Sequence, residues 1–396
     1  MTLPNSERLN IDRSRSRLIL FAAGLVTLIL SLILLEFTSA VYFEFFSPYY
    51  YRPLYLRDYS NWWWTELEPW GAWHKPNAEV FHRSSCFAVN YKSNSIGARD
   101  VERASPGAAN SAIFLGDSFV EGWGVRDQER LSNVFEQRTG KASINLGVAR
   151  DVGPLQYWML YDAFARRFSH DTVIIGFLPA NDFTDNDPEF EGWQEESYRY
   201  RPYYKKTTSG YDIFHKGTFE IGRTFRDYST QRIAGKSALL HYTWTGGFLF
   251  LKRNQLPPLS DADISQDVSN RGYFETSRDR LEAAYYFFET LIRNASPAKV
   301  YILIIPRYSE AKELRVRSSP WLSEFVAKFQ SARVSIIDLG PVYAGLSDDL
   351  LRRAFLKCDP HWSALGNAIA ANALLKAFIV GGPAGGQSRK LPDATQ

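Results

Sequence analysis

The stretch Ala112-Ile113-Phe114-Leu115-Gly116-Asp117-Ser118-Phe119-Val120 decides how the rest of the chain is read. Four apolar residues stop at a glycine, an acid and a serine, and an irregular Glu121-Gly122-Trp123-Gly124 follows. A short apolar run bounded by turn residues reads as a strand buried on both faces. It delivers a serine hydroxyl to the rim of a sheet, where the serine is either a turn residue or a nucleophile.

Outward from this strand the pattern repeats. The spacing predicts a helix over 128–138 with Gly140 just past its end, a strand over 143–146, and a helix over 154–168 opening on proline. A strand over 172–177 follows, then, after an irregular region, a helix over 277–294 and a strand over 300–305. A helix over 320–330, a strand over 334–339 and an Ala/Leu-rich helix over 364–379 complete the series. Strands alternating with helices predict a parallel sheet covered on both faces. In such sheets chemistry gathers beyond the carboxyl ends of the strands.

The residues expected at that rim form a set. Ser118 follows the first strand, and Gly147 follows the second within Asn145-Leu146-Gly147-Val148. Asn181 follows the third in Pro179-Ala180-Asn181-Asp182, and the fourth ends in Pro306-Arg307-Tyr308. Asp359 and His361 lie beyond the fifth in Cys358-Asp359-Pro360-His361-Trp362-Ser363. Acyl transfer needs these types: a serine is a weak nucleophile until a base takes its proton, histidine does this near neutral pH, and a carboxylate fixes the imidazole tautomer. The developing oxyanion needs donors fixed in advance, which the N–H groups of Ser118 and Gly147 and the Asn181 amide would supply. Each residue alone has a plainer reading: Gly-Asp-Ser as a turn, His361 as a core histidine, Asn181-Asp182 as a cap. Their shared rim points to chemistry.

On these blocks the chain resembles the SGNH (GDSL-type) hydrolases, over roughly 94–379 outside the irregular region. Gly116-Asp117-Ser118-Phe119 matches the block that carries the family's nucleophile, Gly147 and Asn181 match its oxyanion donors, and Asp359 with His361 match the last block. The resemblance implies a flavodoxin-like three-layer α/β/α sandwich with a five-stranded parallel sheet over 111–380, and no metal or organic cofactor. It also implies that Ser118 is the nucleophile, His361 the general base and acid, and Asp359 the group that orients it. Two departures stand out. Pro179 replaces the glycine usual two residues before the asparagine, and Asp-x-His replaces Asp-x-x-His. The shortened spacing leaves Asp182 as a second, inferior candidate for the orienting acid.

Ahead of this domain, residues 18–35 carry no charge, and the apolar run reaches Tyr42 if Glu36 snorkels to an interface. Arg8, Arg13, Arg15 and Arg17 precede it, so a spanning helix over 18–42 would leave 1–17 as a basic tail in the cytoplasm and carry the rest across. A cleaved signal is the alternative, and the length of the run favours the anchor. The only cysteines, Cys86 and Cys358, lie beyond the span, where an oxidising compartment would let them bridge; two unpaired thiols are the plain alternative. They lack the spacing of a zinc site, and a net charge of +3 carries no nucleic-acid footprint.

Residues 43–110 read as an aromatic-rich juxtamembrane segment packing on the core, in which Tyr49-Tyr50-Tyr51, Trp62-Trp63-Trp64, Trp70 and Trp73 crowd together. For its first part an interfacial collar is expected, with plain packing or a sugar-stacking surface as alternatives. A β-hairpin is expected around 80–91. The irregular region of about 183–272 is too long for a loop and reads as an insertion, either lining a cleft through its Tyr/Arg-rich 198–206 or packing on the core. Residues 381–396 read as a disordered tail.

The function expected is a membrane-anchored extracytoplasmic serine esterase, acting on acyl (foremost acetyl) esters of envelope or exopolysaccharide carbohydrate, with the bilayer as its other partner. A polysaccharide O-acyltransferase on the same triad is the alternative. The hydrolase-like chain order, serine before Asp-x-His, favours hydrolysis. A non-catalytic envelope assembly protein and a lipase rank lower.

Overall fold

The structure is a computed structural model, and it describes residues 5–45, 62–63, 68–83, 86–149, 152–190, 200–216, 237, 239–240, 272–357 and 359–380. The chain divides into two compact units, 1–57 with 224–256, and 58–223 with 257–396.

In the first unit the helix Asn5–Phe45 includes a stretch, Ser16–Val41, long and apolar enough to cross a bilayer. Length and composition are compatible with a single-pass anchor or a signal sequence. Leu18, Ile19, Leu20, Phe21 and Ile33 are exposed along it. Glu36, the one acid in this stretch, accepts hydrogen bonds from Ser237 Oγ (2.6 Å) and the Leu239 N–H (3.1 Å).

The second unit opens with an antiparallel hairpin, β1 (Glu79–Arg83) and β2 (Ala88–Lys92). The central sheet is built from β3 (Ser111–Leu115), β4 (Ser143–Asn145), β5 (His170–Phe177), then β8 (Lys299–Ile304) and β9 (Val334–Asp338). All pairings are parallel and the order is β4-β3-β5-β8-β9. Between β5 and β8 the hairpin β6 (Arg201–Thr207) and β7 (Gly210–Lys216) forms a separate sheet.

Side chains alternate across the sheet with a period of two, and both faces are covered. Ile113, Leu115, Val173, Ile175, Ile302 and Ile304 enter one core with residues of the helices Pro154–Ala163, Arg278–Asn294 and Leu322–Phe329. Ala112, Phe114, Ile174, Tyr301 and Leu303 enter the other, under the helices Leu131–Thr139 and Ala364–Val380. This is a three-layer α/β/α sandwich around a five-stranded parallel sheet, as expected from the sequence. The chain runs from β3 outward to β4, then back across to β5, so the strand order reverses beside β3 and opens a crevice beyond its carboxyl end.

The described tryptophans Trp62, Trp63 and Trp73 belong to the core. Trp62, Trp63 and Trp73 are buried and surround the ring of His74, and Trp73 stacks on Phe164 at 4.6 Å. These three rings therefore take the plain-packing alternative and face neither lipid nor glycan. Tyr49, Tyr50, Tyr51 and Trp64 lie outside the described residues, as does the tail 381–396. In the insertion, Tyr204 and Tyr211 of the hairpin lie against Phe287, and Tyr203 and Arg201 are buried. The described part of the Tyr/Arg-rich stretch is thus a packing element; 191–199 and most of 217–271 lie outside the described residues.

Candidate active site

The serine is set by what surrounds it. β3 ends at Leu115, and Gly116 leaves room for Val120, whose side chain would meet any Cβ there. Asp117 caps the helical turn Ser118–Glu121 by accepting the Phe119 N–H at 2.9 Å. Ser118 is the first residue of that turn, so its own N–H has no intrahelical acceptor. Asp117, Phe119 and Val120 are buried while Ser118 remains partly exposed.

His361 arrives from the far end of the chain. Its carbonyl accepts the Leu356 N–H at 2.8 Å, and the next residue, Trp362, is buried with its ring stacked on Tyr343. The imidazole lies against Phe119 and reaches the serine: Ser118 Oγ stands 2.6 Å from Nε2. On the other side of the ring, Nδ1 bonds to Asp359 Oδ1. A carboxylate accepts from Nδ1–H, so Nε2 is the free acceptor for the Ser118 hydroxyl.

The short Asp-x-His spacing has a local explanation. Asp359 Oδ1 also accepts the backbone N–H of His361 at 3.1 Å, an Asx-type turn that folds the carboxylate over two residues onto the ring it faces. Oδ2 accepts the indole N–H of Trp123 at 3.0 Å. Asp182 is occupied elsewhere, by the Tyr157 hydroxyl and the Leu178 N–H, both at 2.9 Å. Asp359 is therefore the acid beside this histidine.

Burial disfavours the imidazolium of His361, but the Asp359 charge and hydrogen bond, joined by Asp117 and Glu121, hold its pKa above the ordinary value. Burial likewise works against ionised Asp359, and His361 and Trp123 outweigh it, so the carboxyl is lowered. Asp117 is pushed up to about 6 by burial, against the pull of the Phe119 N–H. Asp182 is raised well above the carboxylate range by burial and by the neighbouring charges of Asp117 and Asp185.

The two remaining expected residues differ. Asn181 sits in the turn Pro179–Asp182 at the end of β5, with Nδ2 donating to Asp185 Oδ2 at 3.1 Å and its amide beside Asp117. The Gly147 N–H is already spent: it donates to Asn145 Oδ1 at 2.9 Å, while Asn145 Nδ2 bonds to the Val120 carbonyl and Ser132 Oγ. A Cβ at Gly147 would collide with the Glu121 N–H and the Val120 carbonyl carbon. Glycine is needed here for close approach of the β4 loop to the serine turn, and its N–H is not an open donor.

Three participants have no signal in the sequence beyond their residue types. Glu121, buried at the end of the serine turn, faces His74 Nε2 at 3.2 Å and accepts the Ala149 N–H. Its carboxyl is held low: burial opposes ionisation, and His74 outweighs it. Arg99, also buried, lies 3.4 Å over the Tyr91 ring and donates to the Gly122 carbonyl at 2.5 Å and the Val125 carbonyl at 2.7 Å. Trp123 could have been flagged only as the aromatic in Gly-Trp-Gly. Cys86 is disulfide-bonded; Cys358, the other cysteine of the chain, lies outside the described residues. Among the described residues no three His, Cys, Asp or Glu are grouped to hold a metal ion.

No family model matches the chain, and no curated protein matches it. Solved structures do. A member of the lipolytic protein G-D-S-L family from Veillonella parvula DSM 2008 is 11% identical, covering 68% of this chain and 98% of that one, with a TM-score of 0.33. A carbohydrate esterase family 2 enzyme with a carbohydrate binding domain, from Corynascus thermopiles (Myceliophthora fergusii), is 12% identical, covering 71% of this chain and 68% of that one, with a TM-score of 0.35.

Proposed function

We propose that this chain, which has the SGNH-hydrolase fold, is a membrane-anchored serine esterase working outside the cytoplasm on acyl esters, foremost acetyl esters of envelope or exopolysaccharide carbohydrate. The observation that carries the reading is the continuous contact from Asp359 through His361 to Ser118 Oγ, 2.6 Å from Nε2, at the carboxyl end of β3.

In this reading Ser118 Oγ attacks the ester carbonyl as Nε2 takes its proton, and Asp359 stabilises the imidazolium that forms. The oxyanion is met by the Ser118 N–H, joined by the Asn181 amide as it exchanges its bond to Asp185 Oδ2 for the developing charge, with Gly147 packing against the serine turn. His361 returns the proton to the departing sugar oxygen. Water, activated by the same imidazole, then attacks the acyl-serine and releases the acid. The Arg cluster at the N-terminal end of the apolar stretch Ser16–Val41 and the bonded state of Cys86 support an extracytoplasmic domain.

Incubation with candidate acyl-glycans followed by mass spectrometry of the Ser118 peptide tests the assignment. The expected result is a mass increase on Ser118 that names the acyl group. Ser118→Ala is expected to lose turnover of a short-chain aryl ester by several orders of magnitude while melting as the parent does. Equal turnover in mutant and parent would falsify the reading. Acyl groups appearing on an added glycan faster than in water would replace hydrolysis by transfer.

A further inference from the structure

We propose that Trp123 is the positioning residue of this site: its indole N–H fixes the Asp359 carboxylate in the orientation that presents Oδ1 to His361. The inference rests on reading Ser118, His361 and Asp359 as a triad.

A carboxylate held through one oxygen still turns about its Cβ–Cγ bond, and a donor on the second oxygen fixes its plane. Trp123 Nε1 supplies that donor at 3.0 Å, while Oδ1 serves the ring and backbone of His361. The same residue is tied to the nucleophile, because the Trp123 backbone N–H donates to the Ser118 carbonyl at 3.0 Å. One side chain thus links the serine turn to the acid, which lies 236 residues away in sequence.

The neighbouring glycines permit this placement. Gly122 and Gly124 have φ of +87° and +72°, a left-handed pair that swings the indole out of the helical turn. A Cβ at Gly124 would meet Leu356 and Phe87. The indole is also braced sideways, with its centroid 5.4 Å from the His361 ring and 4.3 Å from the ring of His82 on β1, which meets it edge-on. The charged and titratable groups acting on His361 are Asp359 from its own loop, Asp117 and Glu121 from the serine turn, and His82 from the hairpin. Exchanging indole for phenyl alters none of these charges, and any burial it removes would raise the His361 pKa, so a downward move of that titration reports the loosening of Asp359.

The test is Trp123→Phe in the full-length protein in detergent, with its fold checked by thermal melting. Loss of one donor to a charged oxygen is expected to lower kcat about tenfold with KM unchanged. The acid limb of kcat/KM is expected to move to lower pH, since a loosened Asp359 holds the imidazolium less well. A variant with parental kcat and an unmoved His361 titration overturns the proposal, and so does a change confined to KM. Should Trp123→Phe fail to fold, the parent decides: the Trp123 indole N–H resonance is expected to follow the titration of His361, and a flat response overturns the proposal. If the parent shows no Ser118-dependent turnover, the esterase reading fails, and the NMR titration of His361 in parent and variant still decides the role of Trp123.

Discussion

Asp117 accepts the Phe119 N–H and so caps the turn that carries Ser118, yet it does so almost without solvent. Burial raises its carboxyl from 3.8 to about 6. Between these two values the folded protein keeps a proton that the unfolded chain has released. Stability therefore falls as pH rises through that window, and above about pH 6 the whole cost is present, on the order of 3 kcal/mol for such a shift. Asparagine caps a helix as well as aspartate does and has no charge to bury. Asp117→Asn is thus expected to melt above the parent at pH 8, with the advantage fading towards pH 4. Thermal unfolding at both pH values checks this, and an advantage that does not change with pH would sink it. The charge of Asp117 also acts on the other side of Ser118, where it helps to hold the His361 imidazolium. The Asp117→Asn variant gains stability and weakens the base, a trade common at functional sites.

At the scale of elements, what positions the serine is the contact between its turn and the loop after β4, and Gly147 is the point of contact. A methyl there has only backbone to push against, Glu121 N and the Val120 carbonyl carbon, so the turn itself must move. Overpacking of this kind costs about 1–3 kcal/mol. Gly140 offers a contrast: it ends the helix Leu131–Thr139 at φ +68° with open space around it, so alanine there meets only backbone strain of about 1–2 kcal/mol. Gly147→Ala is expected to lower both the melting temperature and kcat, and Gly140→Ala the melting temperature alone. Unchanged kcat in folded Gly147→Ala would contradict the role given to this contact. The inner strands β3, β5 and β8 were legible in sequence because each carries a continuous apolar run, as burial on both faces requires. The edge strands β4 and β9 are shorter or more polar and were legible from their place between helices. The role of Gly147 was not, since a glycine that frees an N–H and one that admits a neighbour look the same in a sequence. Packing of the aromatic-rich segment on the core was expected, but which rings gather around His74 was not readable, because aromatic composition beside an apolar helix does not say which side chains turn inward. Asp359 and His361 were readable as a pair, whereas the Asx-type turn that makes their short spacing work needs coordinates to be seen.

For the molecule as a whole, two independent features support the proposal that the sheet works outside the cytoplasm. Arginines at 8, 13, 15 and 17 precede the apolar stretch Ser16–Val41 or fall at its start, and basic residues stay on the cytoplasmic side of a span. Cys86, on the far side of that stretch in sequence, is disulfide-bonded, and such bonds persist in oxidising compartments and are reduced in cytosol. The first argument concerns insertion and the second the compartment reached afterwards, so their agreement is not built in. The chain has two cysteines, and among the described residues none is free, which makes the thiol count a direct readout of location. Protein taken from cells under acid quench, denatured, and treated with a bulky maleimide is expected to take up no label. After reduction it is expected to take up two labels, one for each cysteine. Labelling without reductant would place the domain in a reducing compartment and remove the argument for envelope carbohydrate as the substrate. A bridged protein that fractionates with membranes before removal of residues 1–42, and with soluble protein after it, would identify the apolar helix as a retained anchor, since a cleaved signal would leave nothing for the truncation to change.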